Sequence, residues 1–277
     1  MDNSIYPCLW FDAVAKNAME TYASVFPNSH IISENPMVTM ASLNGQMFMG
    51  LNGGPIFQKN ASISFMVNFD SEPEVIQYWD ALLPQATVLM PLDTYPWSTK
   101  YGWLQDRFGV NWQFYLSKDG NYKQKISPTL MFAQLQQGKA AEAIHFYSKV
   151  FTNSAIEGIL KYPEGPMQGQ VQHSNFVINN YVMMAMDSGV PQTFSFNEGV
   201  SLVIRCKDQA EIDYYWNAFT EKGAESQCGW CKDPYGVSWQ IIPEQLETLM
   251  SDPERAPRVM TALLKMKKID LAALEQA

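Results

Sequence analysis

The chain repeats itself, and a repeat limits the fold more than any composition can. The segment starting at Ala15, AKNAMETYASVFPNS, recurs from Ala140 as AAEAIHFYSKVFTNS, with Phe26 matching Phe151 at an offset of 125. Ala15, Ala18, Met19, Tyr22, Val25 and Phe26 are apolar and recur as Ala140, Ala143, Ile144, Tyr147, Val150 and Phe151. That spacing predicts an amphipathic helix in each copy. A second pair of helices is announced by Ser71-Glu72-Pro73-Glu74 and Asp208-Gln209-Ala210-Glu211, where a capping residue precedes a glutamate by three. Val75, Trp79 and Leu82 then share a face, matched by Ile212, Trp216 and Phe219 at an offset of 137. The larger offset reflects a longer middle loop around residues 162–172 of the second copy.

The closing block is the strongest match. Gly102-Trp103, Asp106, Gly109-Val110 and Trp112-Gln113 return as Gly229-Trp230, Asp233, Gly236-Val237 and Trp239-Gln240, at an offset of 127. Asp106-Arg107-Phe108-Gly109 and Asp233-Pro234-Tyr235-Gly236 read as turns, with Asp first and Gly fourth, each joining two antiparallel strands. Three blocks in the same order make a duplication of a module of about 120 residues.

Opening strands are expected at residues 5–11 and 126–132, and further strands at 47–51, 61–69, 182–186 and 200–206. Each module then runs strand, helix, two strands, strand, helix, two strands, with helices on one sheet face and the other left concave. The expected fold is α+β. It has a first module at 1–117, a second at 126–243, a polar linker at 117–125 and a helical tail at 244–277. The tail reads either as a helix packed on its own domain or as a homodimer contact.

Charge narrows the partners. A net charge of −9 and a pI near 4.8 repel nucleic acid, and the lone basic knot Lys265-Met266-Lys267-Lys268 reads as a solvated helix face. No apolar run reaches the eighteen or so residues that span a bilayer. The first residues lack a secretory pattern. A cytoplasmic protein without membrane or nucleic-acid partners is expected. The four cysteines are scattered, as in a reduced compartment.

The segments CLWFD, AMETYASVFPNS, LNGGPIF and ISF, the GW-x-x-D-x-x-G-V-x-W-Q block and the closing MKKIDLAALEQA resemble the PhnB-like family. That family belongs to the glyoxalase/bleomycin-resistance/dioxygenase, or vicinal-oxygen-chelate, superfamily. The resemblance covers nearly the whole chain and implies paired βαβββ units forming cup-shaped mixed sheets. Some family members are labelled 3-demethylubiquinone methyltransferases. A methyltransferase needs a glycine-rich strand-to-helix turn, whereas Asn52-Gly53-Gly54 sits in a hairpin context.

Metal-dependent relatives hold a divalent ion with His and Glu in the cup. By that resemblance the last-strand Glu aligns with Gln113 and Gln240, and a middle-strand His falls near Ser62 and Gly199. These neutral groups would bind a transition metal weakly, so no cofactor is expected. His30, His145 and His173 read as surface residues, His173 standing in or beside the long loop. Cys228-Gly229-Trp230-Cys231 is a C-x-x-C on an expected strand, where residues three apart point to opposite faces and do not bridge.

Gln113 and Gln240 are the leading candidates for contact with a small ligand, since strand alternation turns them away from Trp112 and Trp239. Trp103 and Trp230 read either as aromatic walls of the cup or as core residues. The expected function is small-molecule binding without a metal. The alternative is a metal-dependent enzyme of glyoxalase or dioxygenase type.

Overall fold

The computed structural model describes residues 4–117, 119–120 and 122–277. Its elements form four copies of one βαβββ unit. The first is β1 (Ile5–Phe11), α1 (Ala15–Val25), β2 (His30–Glu34), β3 (Val38–Leu43) and β4 (Gln46–Asn52). The second is β5 (Ile63–Phe69), α2 (Glu72–Leu82), β6 (Thr87–Tyr95), β7 (Ser98–Gln105) and β8 (Asn111–Leu116). The third is β9 (Ile126–Phe132), α3 (Ala140–Val150), β10 (Ala155–Lys161), β11 (Val171–Ile178) and β12 (Tyr181–Asp187). The fourth is β13 (Val200–Cys206), α4 (Gln209–Thr220), β14 (Ala224–Glu225), β15 (Trp230–Lys232) and β16 (Ser238–Pro243). Each half of the sequence repeat thus contains two βαβββ units, which accounts for its second helix.

The expected order is corrected in one respect: three strands, not two, follow each helix. The strands missed by pattern are β2, β6, β10 and the two-residue β14, and all four are largely exposed. They are edge strands whose outward residues carry no apolar alternation, so the period-two signal is absent.

Contacts divide the chain into two compact units, residues 8–200 and residues 201–277 with the N-terminal residues through Pro7. The first unit contains a complete eight-stranded sheet in the order β10-β11-β12-β9-β5-β8-β7-β6. Within it the first strand of each βαβββ unit lies parallel to the last, β5 beside β8 and β9 beside β12. The two units then join antiparallel through β5 and β9, from Ile63 opposite Leu130 to Val67 opposite Ile126. This sheet therefore combines the second half of one sequence module with the first half of the next.

Of the polar segment expected to be a linker, 117–125, the end at Gln124 and Lys125 is docked, while residues 118 and 121 lie outside the described residues. Gln124 and Lys125 are buried. The Gln124 amide donates to the carbonyls of Ile126 and Val182 (both 2.9 Å) and accepts from Val182 N (3.0 Å). Lys125 pairs with Glu74 at 3.0 Å and lies 4.2 Å over the Phe69 ring.

Helix α1 buries Ala15, Ala18, Met19 and Tyr22, and its N-terminus is closed from a distant strand end, where Asn52 Oδ1 accepts from Ala15 N at 2.9 Å. Asp187 does the same for α3, accepting from Ala140 N at 3.2 Å. Of the two expected caps, Asp208 accepts from Glu211 N at 2.9 Å, while Ser71 makes no side-chain cap bond.

Gly53 must be glycine, since a Cβ there would lie 2.1 Å from the Trp10 indole. The indole itself donates to Gly54 O at 2.7 Å. Asn52-Gly53-Gly54 is thus a seat for Trp10 followed by β5, and no helix N-terminus opens from it.

The loop before β5 is laced reciprocally to the loop before β13. Asn60 Nδ2 donates to Ser195 O at 3.0 Å, and Asn197 Nδ2 donates to Gln58 O at 2.9 Å. At the adjacent position Lys59 is held 4.0 Å over the Phe11 ring and donates to Trp10 O. Burial pulls its ammonium down to about 8. Between that value and its ordinary value of 10.5 the unfolded chain binds more protons than the folded one, so stability rises with pH across this window. Urea unfolding at stepped pH is expected to show a rise on the order of 2 kcal/mol. The slope should flatten in Lys59→Met.

In the second unit, β13 lies parallel to β16, and α4 packs on β16 with Phe219 stacked 4.8 Å from Trp239. The tail forms three short helices, α5 (Leu246–Ser251), α6 (Ala256–Leu263) and α7 (Leu271–Glu275). Leu249, Val259, Leu263, Ile269 and Leu274 are buried, so the tail packs on its own unit. Cys228 and Gly229 are in left-handed conformations rather than in a strand, and their N–H groups donate to Met266 O (2.7 Å) and Lys267 O (2.8 Å). Lys267 and Lys268 of the basic knot pair with Glu225 and Asp213.

Candidate functional site

Strand β8 sorts its residues by alternation. Trp112 is fully buried beneath α1, its ring 5.2 Å from both Tyr22 and Phe26. Asn111, Gln113 and Tyr115 therefore point to the sheet's other, helix-free face. Cross-strand partners share a face, so register extends the list. Gln105, Trp103 and Tyr101 on β7 stand opposite Asn111, Gln113 and Tyr115. Thr129 on β9 stands opposite Ser64 on one side and Met184 on the other, and Met184 stands opposite Asn175.

This face has an aromatic end and a sulfur-rich centre. Met66, Tyr101 and Met184 form a buried cluster against which Met90, Tyr95, Trp103 and Tyr115 pack. Tyr95 and Trp97 stack at 5.2 Å, and each meets Tyr101 edge-on at 5.6 Å. The floor is filled by the protein's own side chains, and the flexible thioethers of Met66 and Met184 are the groups that can move to admit a guest.

Gln113 is 1% exposed, and both ends of its amide are engaged. Its Oε1 accepts from the Tyr101 hydroxyl at 2.7 Å, and its Nε2 donates to Ser64 Oγ at 2.6 Å. Burial pushes the Tyr101 phenol well above its ordinary value, so it stays a neutral donor. Around this satisfied trio lie polar atoms with no partner: Trp103 Nε1, Asn111 Oδ1 and Nδ2, and Thr129 Oγ1. Thr129 is 0% and Asn111 1% exposed. Buried polar groups are bonded in nearly every native structure, so this cluster is where water or a bound component would complete the bonding.

The other candidates fall as follows. Trp103 shares the face and the strand pair of Gln113. In the second unit Gln240 is buried, donates to Ser201 Oγ at 3.0 Å and stands opposite the half-buried Trp230. His173 is not in the loop but on β11, one position from Ser174, where burial lowers its imidazole pKa and a bond with Asn175 opposes the shift. His30 lies on β2 and His145 on α3, both outward. Burial raises the Cys228 and Cys231 thiols, the latter also under the charge of Asp233, opposite to what a reactive thiolate needs. Pattern alone did not single out Asn111, Thr129 or Ser64. The signal for Thr129 and Ser64 is the register between strands, which a single sequence does not display, whereas Asn111 follows from the same alternation as Gln113.

A divalent ion does not fit this face. Among the described residues no group of three or more His, Cys, Asp or Glu converges. The oxygens near Gln113 belong to neutral groups, and its own carbonyl is committed to Tyr101. Nor do the residues around Gly53 fit a methyl-donor cofactor, for the reason given above. No step is derived through either group.

No curated protein matches the chain. A family model described as 3-demethylubiquinone-9 3-methyltransferase matches residues 3–115 and again 124–242. Among solved structures, the PhnB protein from Bacillus cereus, described provisionally with the same methyltransferase name, is 33% identical. The match covers 40% of this chain and 96% of that one, with a TM-score of 0.38. Glyoxalase I from Zea mays is 10% identical over 90% of this chain and 95% of its own, with a TM-score of 0.57. A Bacillus subtilis protein described provisionally as a dioxygenase is 8% identical over 86% and 84%, with a TM-score of 0.51. The two long matches show the fold: α+β, with tandem modules in one chain. No described helix is long and apolar enough to cross a membrane. With its repeat matched twice by one family model, the chain belongs to the PhnB-like, 3-demethylubiquinone-9 3-methyltransferase-type family.

Proposed function

We propose that the chain is a small-molecule binding protein that works without a metal, and that its ligand is a neutral, planar compound. The ligand sits on the helix-free face of the eight-stranded sheet. The observation that carries this reading is the set of buried, unpartnered atoms at Trp103, Asn111 and Thr129 beside a methionine and aromatic cluster. The row through Asn175, Met184, Thr129 and Ser64 contains no charged residue, which favours an uncharged guest. Apolar walls with a few placed polar groups are what small-molecule sites share. The enzymatic alternative draws on the name of the maize relative, and Gln113 favours it little, because its amide is already bonded at both ends.

Coumarin is a suitable probe, being planar, uncharged and an acceptor only. Its titration is expected to quench tryptophan emission saturably and to be indifferent to EDTA. Thr129→Val, which removes the unpartnered hydroxyl, should raise stability by up to about 1 kcal/mol while weakening coumarin several-fold. Binding abolished by EDTA, or untouched by Thr129→Val and by the bulky Met184→Trp, would overturn the proposal.

A further inference from the structure

On the opposite, helix-bearing side of the first unit, α1, α2 and the turn between β7 and β8 enclose a cleft of about 390 Å³. Its walls are apolar where Tyr78, Leu82 and Phe108 meet it and polar at Thr21 and Gln77, with one cation, Arg107. The Arg107 guanidinium lies 4.7 Å over the Phe108 ring and donates from Nη2 to Thr21 Oγ1 at 3.1 Å. That bond uses one of its five donors, and Arg107 forms no ion pair among the described residues. The one carboxylate on the wall, Asp106, has both oxygens engaged. Phe108 N (2.8 Å) and Val110 N (3.0 Å) bond Oδ1, and the Tyr22 hydroxyl (2.7 Å) and Trp112 Nε1 (2.9 Å) bond Oδ2.

The duplication supplies a second, independent observation. At the repeat offsets Thr21 corresponds to Phe146, Gln77 to Tyr214 and Arg107 to Pro234. The second copy thus carries aromatic rings at the positions of Thr21 and Gln77 and a proline at that of Arg107, and its cation, Lys149, stands instead at the position of Ser24. Two copies that share the Asp and Gly of the turn differ at the residues that line this cleft.

We infer that this cleft is a second ligand site, separate from the helix-free face, and that it takes a small organic monocarboxylate with an apolar body. The carboxylate pairs with the guanidinium edge not used by Thr21, and the body lies against Tyr78, Leu82 and Phe108. Arginine forks match carboxylate geometry, and the volume lies in the range of small-molecule sites.

Phenylacetate serves as the probe, titrated into the intact chain by calorimetry. Saturable binding with one molecule per chain is expected. Arg107→Leu, which keeps bulk and removes charge, should weaken it at least about tenfold, the loss of one charge-assisted pair. The double variant Thr21→Phe with Gln77→Tyr, which installs the second copy's residues, should abolish it. Neutral phenylacetamide on the unaltered chain should bind at least about tenfold more weakly, a comparison that needs no variant to fold. Thr129→Val should leave phenylacetate binding unchanged, which separates this site from the coumarin face. Absence of saturable binding, equal binding of phenylacetamide, or affinity unmoved by Arg107→Leu would overturn the inference.

Discussion

Replacing Asp106 by alanine is expected to cost about 4 kcal/mol or more, enough to unfold much of the protein at moderate temperature. Asp106 is buried and receives four hydrogen bonds, two from its own turn, one from Tyr22 on α1 and one from the Trp112 indole on β8. Truncation strands all four donors away from water. Asp106→Asn should be milder, because an amide oxygen still serves Phe108 N and Val110 N while the amide nitrogen faces the Trp112 donor. Burial raises the Asp106 carboxyl above its ordinary value, although its bonds pull it down. The folded state then binds the extra proton, so the carboxylate's contribution to stability declines as pH rises through the raised value. Chemical denaturation at pH 7 measures the first effect. A loss below about 1 kcal/mol for Asp106→Ala would show that these bonds are not holding the turn. Asp233 repeats the arrangement with Tyr235 N, Val237 N and the Trp239 indole, so Asp233→Ala should behave alike.

Gln113→Leu carries the second large effect, about 3 kcal/mol of stability. Leucine fills the space, but the Tyr101 hydroxyl and Ser64 lose the partner that joins β7, β8 and β5. Gln113→Glu tests the same bonds differently. A carboxyl 1% exposed among Met66, Tyr101 and Met184 is pushed up by desolvation. When protonated it accepts from Tyr101 and donates to Ser64 as the amide does. Stability near that of the parent is therefore expected at low pH, declining as pH rises through the raised carboxyl value. Unfolding midpoints that do not depend on pH, relative to the parent, would contradict this.

How much of this was legible in the sequence depends on which forces wrote it. The duplicated helices and the turn block were visible because a buried face enforces the spacing of Ala18, Met19 and Tyr22. A turn likewise enforces the Asp and Gly of Asp106 and Gly109. The strands β2, β6, β10 and β14 were not visible, because outward edge residues are under no such constraint. The docked segment at Gln124 was misread for a related reason. Its polar side chains look solvated in sequence, yet the Gln124 amide bonds the backbone of Val182 on β12, far along the chain, as well as that of its near neighbour Ile126.

Within the candidate site, alternation next to Trp112 placed Gln113 on the helix-free face, and Trp103 followed from the same strand pair. The same alternation reaches Asn111, two residues before Gln113, but Thr129 could not be found that way. Nothing local distinguishes a serine or threonine in a strand from any other, and Thr129 gains its meaning only when β5 and β12 flank it. In the sequence the glutamines read either as contacts for a small ligand or as groups that satisfy partners within the fold. Gln113 spends its amide on Tyr101 and Ser64, and the unpartnered groups lie beside it.

The most direct measurement is an electron-density map of crystals soaked with coumarin. The account predicts the ring system against Met66 and Met184, with an acceptor oxygen on Trp103 Nε1, Asn111 Nδ2 or the Thr129 hydroxyl. Coumarin bound elsewhere, or a divalent ion drawn onto Gln113 Oε1 in place of the Tyr101 hydroxyl, would contradict it.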